Sequence, residues 1–234
     1  MKRMLTALTV TVTMLASIAS AQDLQKGLFA YLTGDYEMAL KELRPLADQG
    51  NATSQWALGA MHYYGEGVRQ DYDQAATWYR LAADQGTATS QLALGVMYQL
   101  GEGVRQDYAQ AATWYRLAAE QSDADAQGRL GYLYETGKGI SQDYTQAATW
   151  YRLAAEQGNA TAQLSLAILH FKGQGVLKDN VMAYMWSSIS AANGNENGAQ
   201  GRELAASIMT REDVSKAQTL ARECMASEYK KCGY

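Results

Sequence analysis

An aspartate returns every 36 residues, at Asp35, Asp71, Asp107, Asp143 and Asp179, and the first four are each followed by tyrosine. Three of the copies are nearly the same text: residues 71–85, 107–121 and 143–157 share the run Ala-Ala-Thr-Trp-Tyr-Arg-Leu-Ala-Ala. A period of this length means stacked supersecondary units, none able to bury its apolar face alone, that share one elongated core. It overrides the one or two globular domains that 234 residues would otherwise suggest. Composition agrees with helix, with 47% hydrophobic residues, 19% charged and a single proline.

Each full unit reads as two helices. Helix A is expected at Ala52 to Tyr64, Ala88 to Leu100, Ala124 to Thr136 and Ala160 to Lys172. In the first copy Gln55, Leu58, Gly59 and His62 fall on one face at helical spacing, and Gln91, Leu94, Gly95 and Tyr98 repeat it. A mid-helix glycine costs about 1 kcal/mol relative to alanine. Its return at Gly59, Gly95 and Gly131 therefore predicts close contact with a neighbouring helix. Helix A ends in Gly65-Glu-Gly67-Val68, repeated at 101–104, 137–140 and 173–176. Glycine there permits the left-handed turn that closes a helix, and the following Val or Ile can plug back onto the core. The glycine pair is no nucleotide loop, because it follows a helix rather than a strand and lacks a third glycine.

Helix B opens on the recurring aspartate, whose carboxylate can cap the next turn, with Gln74, Gln110 and Gln146 placed to reach back as in a capping box. Trp78, Trp114, Trp150 and Trp186 keep the same period and are expected to pack between successive units. Upstream, residues 23–32 and 35–49 read as a capping pair, and Pro45 should kink the second helix or split off its last turn. Downstream, residues 196–209 read as another helix, and Thr210-Arg-Glu-Asp213 as the capping signature of a last one.

The ends carry an address. Lys2 and Arg3, an apolar run from Met4 to Ile18 and the small residues Ala19-Ser20-Ala21 read as a cleavable signal peptide of residues 1–21. The alternative is a membrane anchor, but a run of about 15 residues is short against the roughly 20 that span a bilayer. The expected layout is thus a signal over 1–21, capping helices over 22–50, four repeats over 51–194 and a C-terminal cap over 195–234. The chain is expected to be exported, with no stable membrane anchor after cleavage. Taking Lys2 and Arg3 from the 20 basic residues, against 24 acidic, moves the formal charge from −4 to about −6. That acidity argues against nucleic acid as a partner. In an exported chain the cysteine pair Cys224 and Cys232 is expected to form a disulfide that staples the tail.

The combination Leu94-Gly95, Gly101-x-Gly103-Val104, Asp107 and Trp114-Tyr115 in one register closely resembles the Sel-1-like repeat, a relative of the tetratricopeptide repeat, over about residues 50–194. The resemblance implies an all-α fold, an α/α right-handed superhelix of 36-residue helix-turn-helix units whose A helices line a concave surface. It also implies a scaffold for protein or peptide partners, with no catalytic residues in the repeat. A secreted, cysteine-rich branch of the family is associated with penicillin binding and weak β-lactam hydrolysis. The repeats of this chain lack that branch's cysteine pair.

Chemistry-bearing residues are sparse and call for no cofactor. His62 and His170 lie three periods apart at the place of Tyr98 and Tyr134, which marks them as packing residues. Roughly 30 Å would separate them in such a stack, too far to share a metal. Ser227 and Lys230 match the Ser-x-x-Lys motif of penicillin-recognising enzymes without its companion motifs. The reading is therefore a non-enzymatic scaffold, with a penicillin-binding or weakly β-lactam-hydrolysing protein as the alternative.

Shared residues are explained by packing, so binding is expected where the A helices differ. The candidate surface is Trp56, Ala60 and Tyr63; Leu92, Val96 and Gln99; Tyr132 and Glu135; and Ile168 and Phe171. A groove across four A helices would hold roughly ten residues of extended peptide. Trp56, Tyr63, Tyr132 and Phe171 are its expected anchors. The other role open to these rings is core contact with the next helix, although the hydroxyls of Tyr63 and Tyr132 favour a wet edge.

Overall fold

The computed structural model describes residues 21–232; apart from Ala21, the expected signal peptide lies outside them. All regular structure among the described residues is helical, and the chain divides into two compact units between Gln106 and Asp107. The first unit contains α1 (21–33), α2 (Tyr36–Asp48), α3 (Ala52–Tyr64), α4 (Tyr72–Asp84) and α5 (Ala88–Leu100). The second contains α6 (Tyr108–Glu120), α7 (Ala124–Thr136), α8 (Tyr144–Ala155), α9 (Ala160–Lys172), α10 (Asn180–Ala192), α11 (Gly198–Ala206) and α12 (Arg211–Ala226). Within each unit consecutive helices pack as helix-turn-helix pairs, as in an α/α solenoid. The A helices α3, α5, α7 and α9 occupy the expected spans.

The recurring aspartates are caps. Asp71 accepts from the amide of Gln74 at 3.0 Å, and Asp143 from those of Thr145 and Gln146 at 2.8 and 3.0 Å. Asp35, Asp107 and Asp179 do the same for α2, α6 and α10. Each such cap contributes about 1 kcal/mol. Only half of the capping box forms, because the side chains of Gln74, Gln110 and Gln146 are exposed and make no bond back to the cap among the described residues.

The glycines have two kinds of work. A β-carbon on Gly59 would stand 2.6 Å from the ring of Tyr79, and one on Gly131 would stand 2.7 Å from the ring of Tyr151, so helix A lies directly on the tyrosine of its own helix B. In the turns, Gly65, Gly101, Gly137 and Gly173 close helix A in the left-handed conformation. The second glycine joins one repeat to the next. At Gly103, φ is +63°, and a β-carbon would collide with the backbone of Tyr72 at the start of α4; Gly139 and Gly175 stand likewise against Tyr108 and Tyr144.

A buried glutamine ties each A helix to the helix before it. Gln55, Gln91, Gln127 and Gln163 donate to the carbonyls of Ala47, Ala83, Ala119 and Ala155 at 3.0–3.2 Å. Gln55 and Gln127 also accept from Gln85 and Gln157, both at 2.8 Å, so these amides use donor and acceptor alike. Their burial is thereby compensated.

Pro45 departs from expectation: α2 continues through it to Asp48. Both Pro45 and Lys41, whose carbonyl the missing amide would have served, are exposed, so water can take up that acceptor. Trp78 packs against the α2–α3 core with the Arg44 guanidinium 5.5 Å from its ring, and Trp186 is fully buried in the core formed by α8, α9 and α10. Thr210 caps α12 by accepting from the Asp213 amide at 3.1 Å. The Cys224–Cys232 disulfide is present, with both sulfurs buried in that same core.

Candidate protein-binding surface

The ten expected residues do not share one environment. Ala60 is 3% exposed and packs with Ala75, Ala76, Tyr79 and Met97, so it belongs to the core and has no side-chain surface for a partner. From α3 it meets α4 through Ala75, Ala76 and Tyr79 and α5 through Met97. Phe171 is half-buried against Ala183, Tyr184, Ala205 and Ala217, which makes its main role packing under the C-terminal helices. Trp56 is also half-buried and meets Tyr31 edge-on at 6.1 Å.

The remaining seven reach solvent. Leu92, Val96 and Gln99 on α5 are partly open. Tyr132 and Ile168 are each 38% exposed. Glu135 accepts from the Tyr151 hydroxyl at 2.7 Å, and Tyr63 donates to Glu102 at 2.7 Å. Burial and that carboxylate both push the Tyr63 phenol up. The ring of Tyr63 lies 5.0 Å from that of Tyr64 and 5.2 Å from that of Tyr72, so an aromatic cluster rather than a single anchor occupies this place.

The second residue of the Gly-x-Gly turn was absent from the expected surface, yet it lies beside these rings. It is Glu66, Glu102, Lys138 and Gln174 in successive repeats. Glu66 stands beside Tyr31 and Tyr36; the Tyr31 phenol is pushed up to about 12 by burial first and by this carboxylate second. Lys138 instead lies against Tyr132 and Tyr108. The clue was in the sequence, since this position passes from Glu to Lys to Gln along the series while its flanking glycines do not change.

The motifs with catalytic overtones are bound up in structure. The Ser227 hydroxyl donates to the Cys224 carbonyl at 2.8 Å and accepts from the Lys231 amide at 2.9 Å, which makes it part of the turn ending α12. Lys230 pairs with Glu228 at 3.5 Å. His62 and His170 are held below their ordinary pKa by burial first and by arginine second in the case of His62. Among the described residues no group of three or more His, Cys, Asp and Glu side chains is arranged to hold a metal. A cavity of about 670 Å³ opens beside α2, lined by Glu37, Leu40, Lys41, Arg44, Gly67 and Val68, and none of the ten expected residues borders it.

Known proteins share this arrangement. The Sel1 repeat model matches residues 52–87, 88–123, 124–159 and 160–195. Among solved structures, a protective antigen present in uropathogenic Escherichia coli strains, displaying the same repeat fold, is 33% identical with a TM-score of 0.78; the match covers 92% of this chain and 46% of that protein. The chain thus spans about half of that relative. A Sel1 repeat protein from Oxalobacter formigenes is 31% identical with a TM-score of 0.73, covering 90% of this chain and 85% of the other. A third, from Klebsiella pneumoniae, shares the fold at 21% identity and a TM-score of 0.51, with 80% and 93% covered. No curated protein matches the chain.

Proposed function

The chain belongs to the Sel1 repeat family, whose repeats generally serve as non-enzymatic scaffolds for protein-protein interaction, and from that premise we propose that it is an exported scaffold binding a protein or peptide through the faces of its A helices. The observation that carries this reading is a contrast between the two helix types. Each A helix exposes one large apolar side chain, drawn from two repeat positions and different in kind in each copy: Tyr64 at 64% and Leu100 at 53% at one, Tyr132 at 38% and Ile168 at 38% at the other. The B helices α4, α6 and α8 instead expose the same leucine, as Leu81, Leu117 and Leu153. Variation confined to one helix type suits recognition, because large apolar side chains supply contact area where they meet a partner.

Export is supported by the signal-like residues 1–21 and by the disulfide, which persists in oxidising compartments. None of the described helices is long and apolar enough to cross a membrane.

The test is crosslinking and capture from the compartment in which the chain resides, using the wild type and the Trp56→Ala, Tyr132→Ala double variant. The reading expects a reproducible partner that the variant loses while its helical circular dichroism is retained. A partner captured equally well by both would move binding off the A helices, and capture of nothing reproducible would count against the scaffold itself.

A further inference from the structure

Two carboxylates on the aromatic side of the first unit have no counter-ion. Glu66 stands beside Tyr31 and Tyr36, whose rings lie 6.2 Å apart, with Tyr36 abutting the neighbouring Gly67, and Glu102 accepts from Tyr63, whose ring adjoins the exposed Tyr64. Among the described residues, neither glutamate forms an ion pair with Lys, Arg or His. A phenol hydrogen bond leaves the carboxylate charged, and the face of each ring presents the negative part of its quadrupole. Rings and carboxylates therefore attract the same thing, a cation.

The second unit shows such a place filled. Lys138 occupies the turn position of Glu66 and Glu102, and its ammonium lies 5.5 Å from the centre of the Tyr108 ring and 5.4 Å from that of Tyr132, and 3.0 Å from the Tyr132 hydroxyl. Tyr108 corresponds to Tyr36 and Tyr72 in the earlier repeats. Where the turn carries lysine the chain supplies its own cation. Where it carries glutamate, no Lys, Arg or His among the described residues pairs with it.

We propose that this face of the first unit binds a basic, extended segment of a partner protein, with one Lys or Arg head at Glu66, Tyr31 and Tyr36 and a second at Glu102, Tyr63 and Tyr64. The proposal rests on the scaffold reading and narrows it to a cationic ligand. Equivalent points on adjacent repeats lie roughly 10 Å apart. At about 3.3 Å per residue, that spacing matches two basic residues about three apart in an extended chain. The acidic balance of 24 Asp and Glu against 20 Lys and Arg adds long-range attraction.

The experiment is fluorescence anisotropy on the purified protein with four labelled peptides of one backbone that carry Lys, Arg, Gln or Glu at two positions three residues apart. The Lys and Arg peptides should bind at least tenfold more tightly than the Gln peptide, more weakly as salt rises, with the Glu peptide weakest. Glu66→Gln with Glu102→Gln should erase that preference. Glu102→Lys should block binding by placing an ammonium where Lys138 places one. Unchanged thermal melting of these turn variants would separate lost binding from lost fold. Equal affinity for the Lys and Gln peptides, or undiminished Lys-peptide binding by the double Gln variant, overturns the cation site. In that case a partner still captured through Trp56 and Tyr132 leaves the scaffold reading standing; if that capture also fails, both fall.

Discussion

The guanidinium of Arg116 donates to the hydroxyl of Tyr134 at 2.7 Å and stands 6.0 Å from the centre of its ring, and Arg80 holds the same relation to Tyr98. Each tyrosine follows its arginine by 18 residues. In the outer repeats the residue at that distance is histidine: His62 after Arg44 and His170 after Arg152.

The substitution makes stability depend on pH. Burial, Arg44 and Arg152 lower the pKa of the two histidines, against partial opposition from Asp71 at His62 and from Asp179 and the Leu177 backbone at His170. The folded protein thus keeps both rings neutral at a pH where the unfolded chain, titrating near 6.5, has begun to bind protons. With more protons on the unfolded state, stability rises with pH through that window. It is complete above about pH 6.5 and declines as pH falls toward the folded-state values. Urea midpoints measured from pH 7.5 to 5 should show the decline, and His62→Tyr with His170→Tyr should flatten it. An equal decline in the double variant would assign the effect to carboxylates.

Two glycines of α7 should respond to alanine in opposite ways. At Gly131 the new methyl would stand 2.7 Å from a buried ring of Tyr151, whereas at Gly128 the nearest atom is 3.9 Å away. Helix propensity favours alanine by about 1 kcal/mol at both. Overpacking of a filled core costs about 1–3 kcal/mol and acts only at Gly131. Urea denaturation should show Gly128→Ala stabilised by up to about 1 kcal/mol and Gly131→Ala destabilised. Matching gains at both sites would mean that the Tyr151 ring moves aside freely.

Local signals were readable from the chain and contacts between repeats were not. Capping depends on residues two or three apart, so Asp71 and Asp143 announced α4 and α8, and the A helices were bounded by their glycines. The work of Gly103 could not be inferred that way, because the backbone it spares, at Tyr72, is 31 residues earlier. The surface was half legible for a related reason. Variation at Ala60, Val96, Tyr132 and Ile168 suggested recognition, but at Ala60 the small side chain answers a tight helix contact, while Tyr132 and Ile168 face solvent. Looking for variation only along the A helices also passed over the turn, where Glu66, Glu102 and Lys138 carry the charge.

The repeats supply templates for their own repair. Where Gly50, Gly86, Gly158 and Gly194 follow a B helix with positive φ, α6 is followed by Ser122 at φ 68°. A left-handed backbone costs an ordinary residue about 1–2 kcal/mol, partly offset by the greater unfolded-state freedom of glycine. Likewise Thr87 makes no side-chain cap at α5, where Asn51 and Asn159 cap α3 and α9. Ser122→Gly and Thr87→Asn should each stabilise by about 0.5–1 kcal/mol. Because the sites lie in different units, thermal melts of the double variant should show the two gains adding.

The tail should act as a removable clamp on the second unit. Its disulfide joins residues eight apart, and Cys224 and Cys232 bury against the core that contains Trp186, while the Tyr229 hydroxyl exchanges hydrogen bonds of 2.9 and 3.0 Å with Asn193 at the end of α10. Closing so short a loop is worth roughly 2–3 kcal/mol in the chain-entropy account. Cys224→Ser with Cys232→Ser, or reduction of the wild type, should therefore destabilise α10 and α12 by about that amount. Native-state hydrogen exchange resolves where the loss falls. Amides of α10 and α12 should exchange faster while those of α2, α3 and α4 keep their protection, since nearest-neighbour coupling in a repeat array confines damage to adjoining helices. Uniform acceleration across both units would mean that the chain unfolds as one cooperative body and that the tail secures all of it.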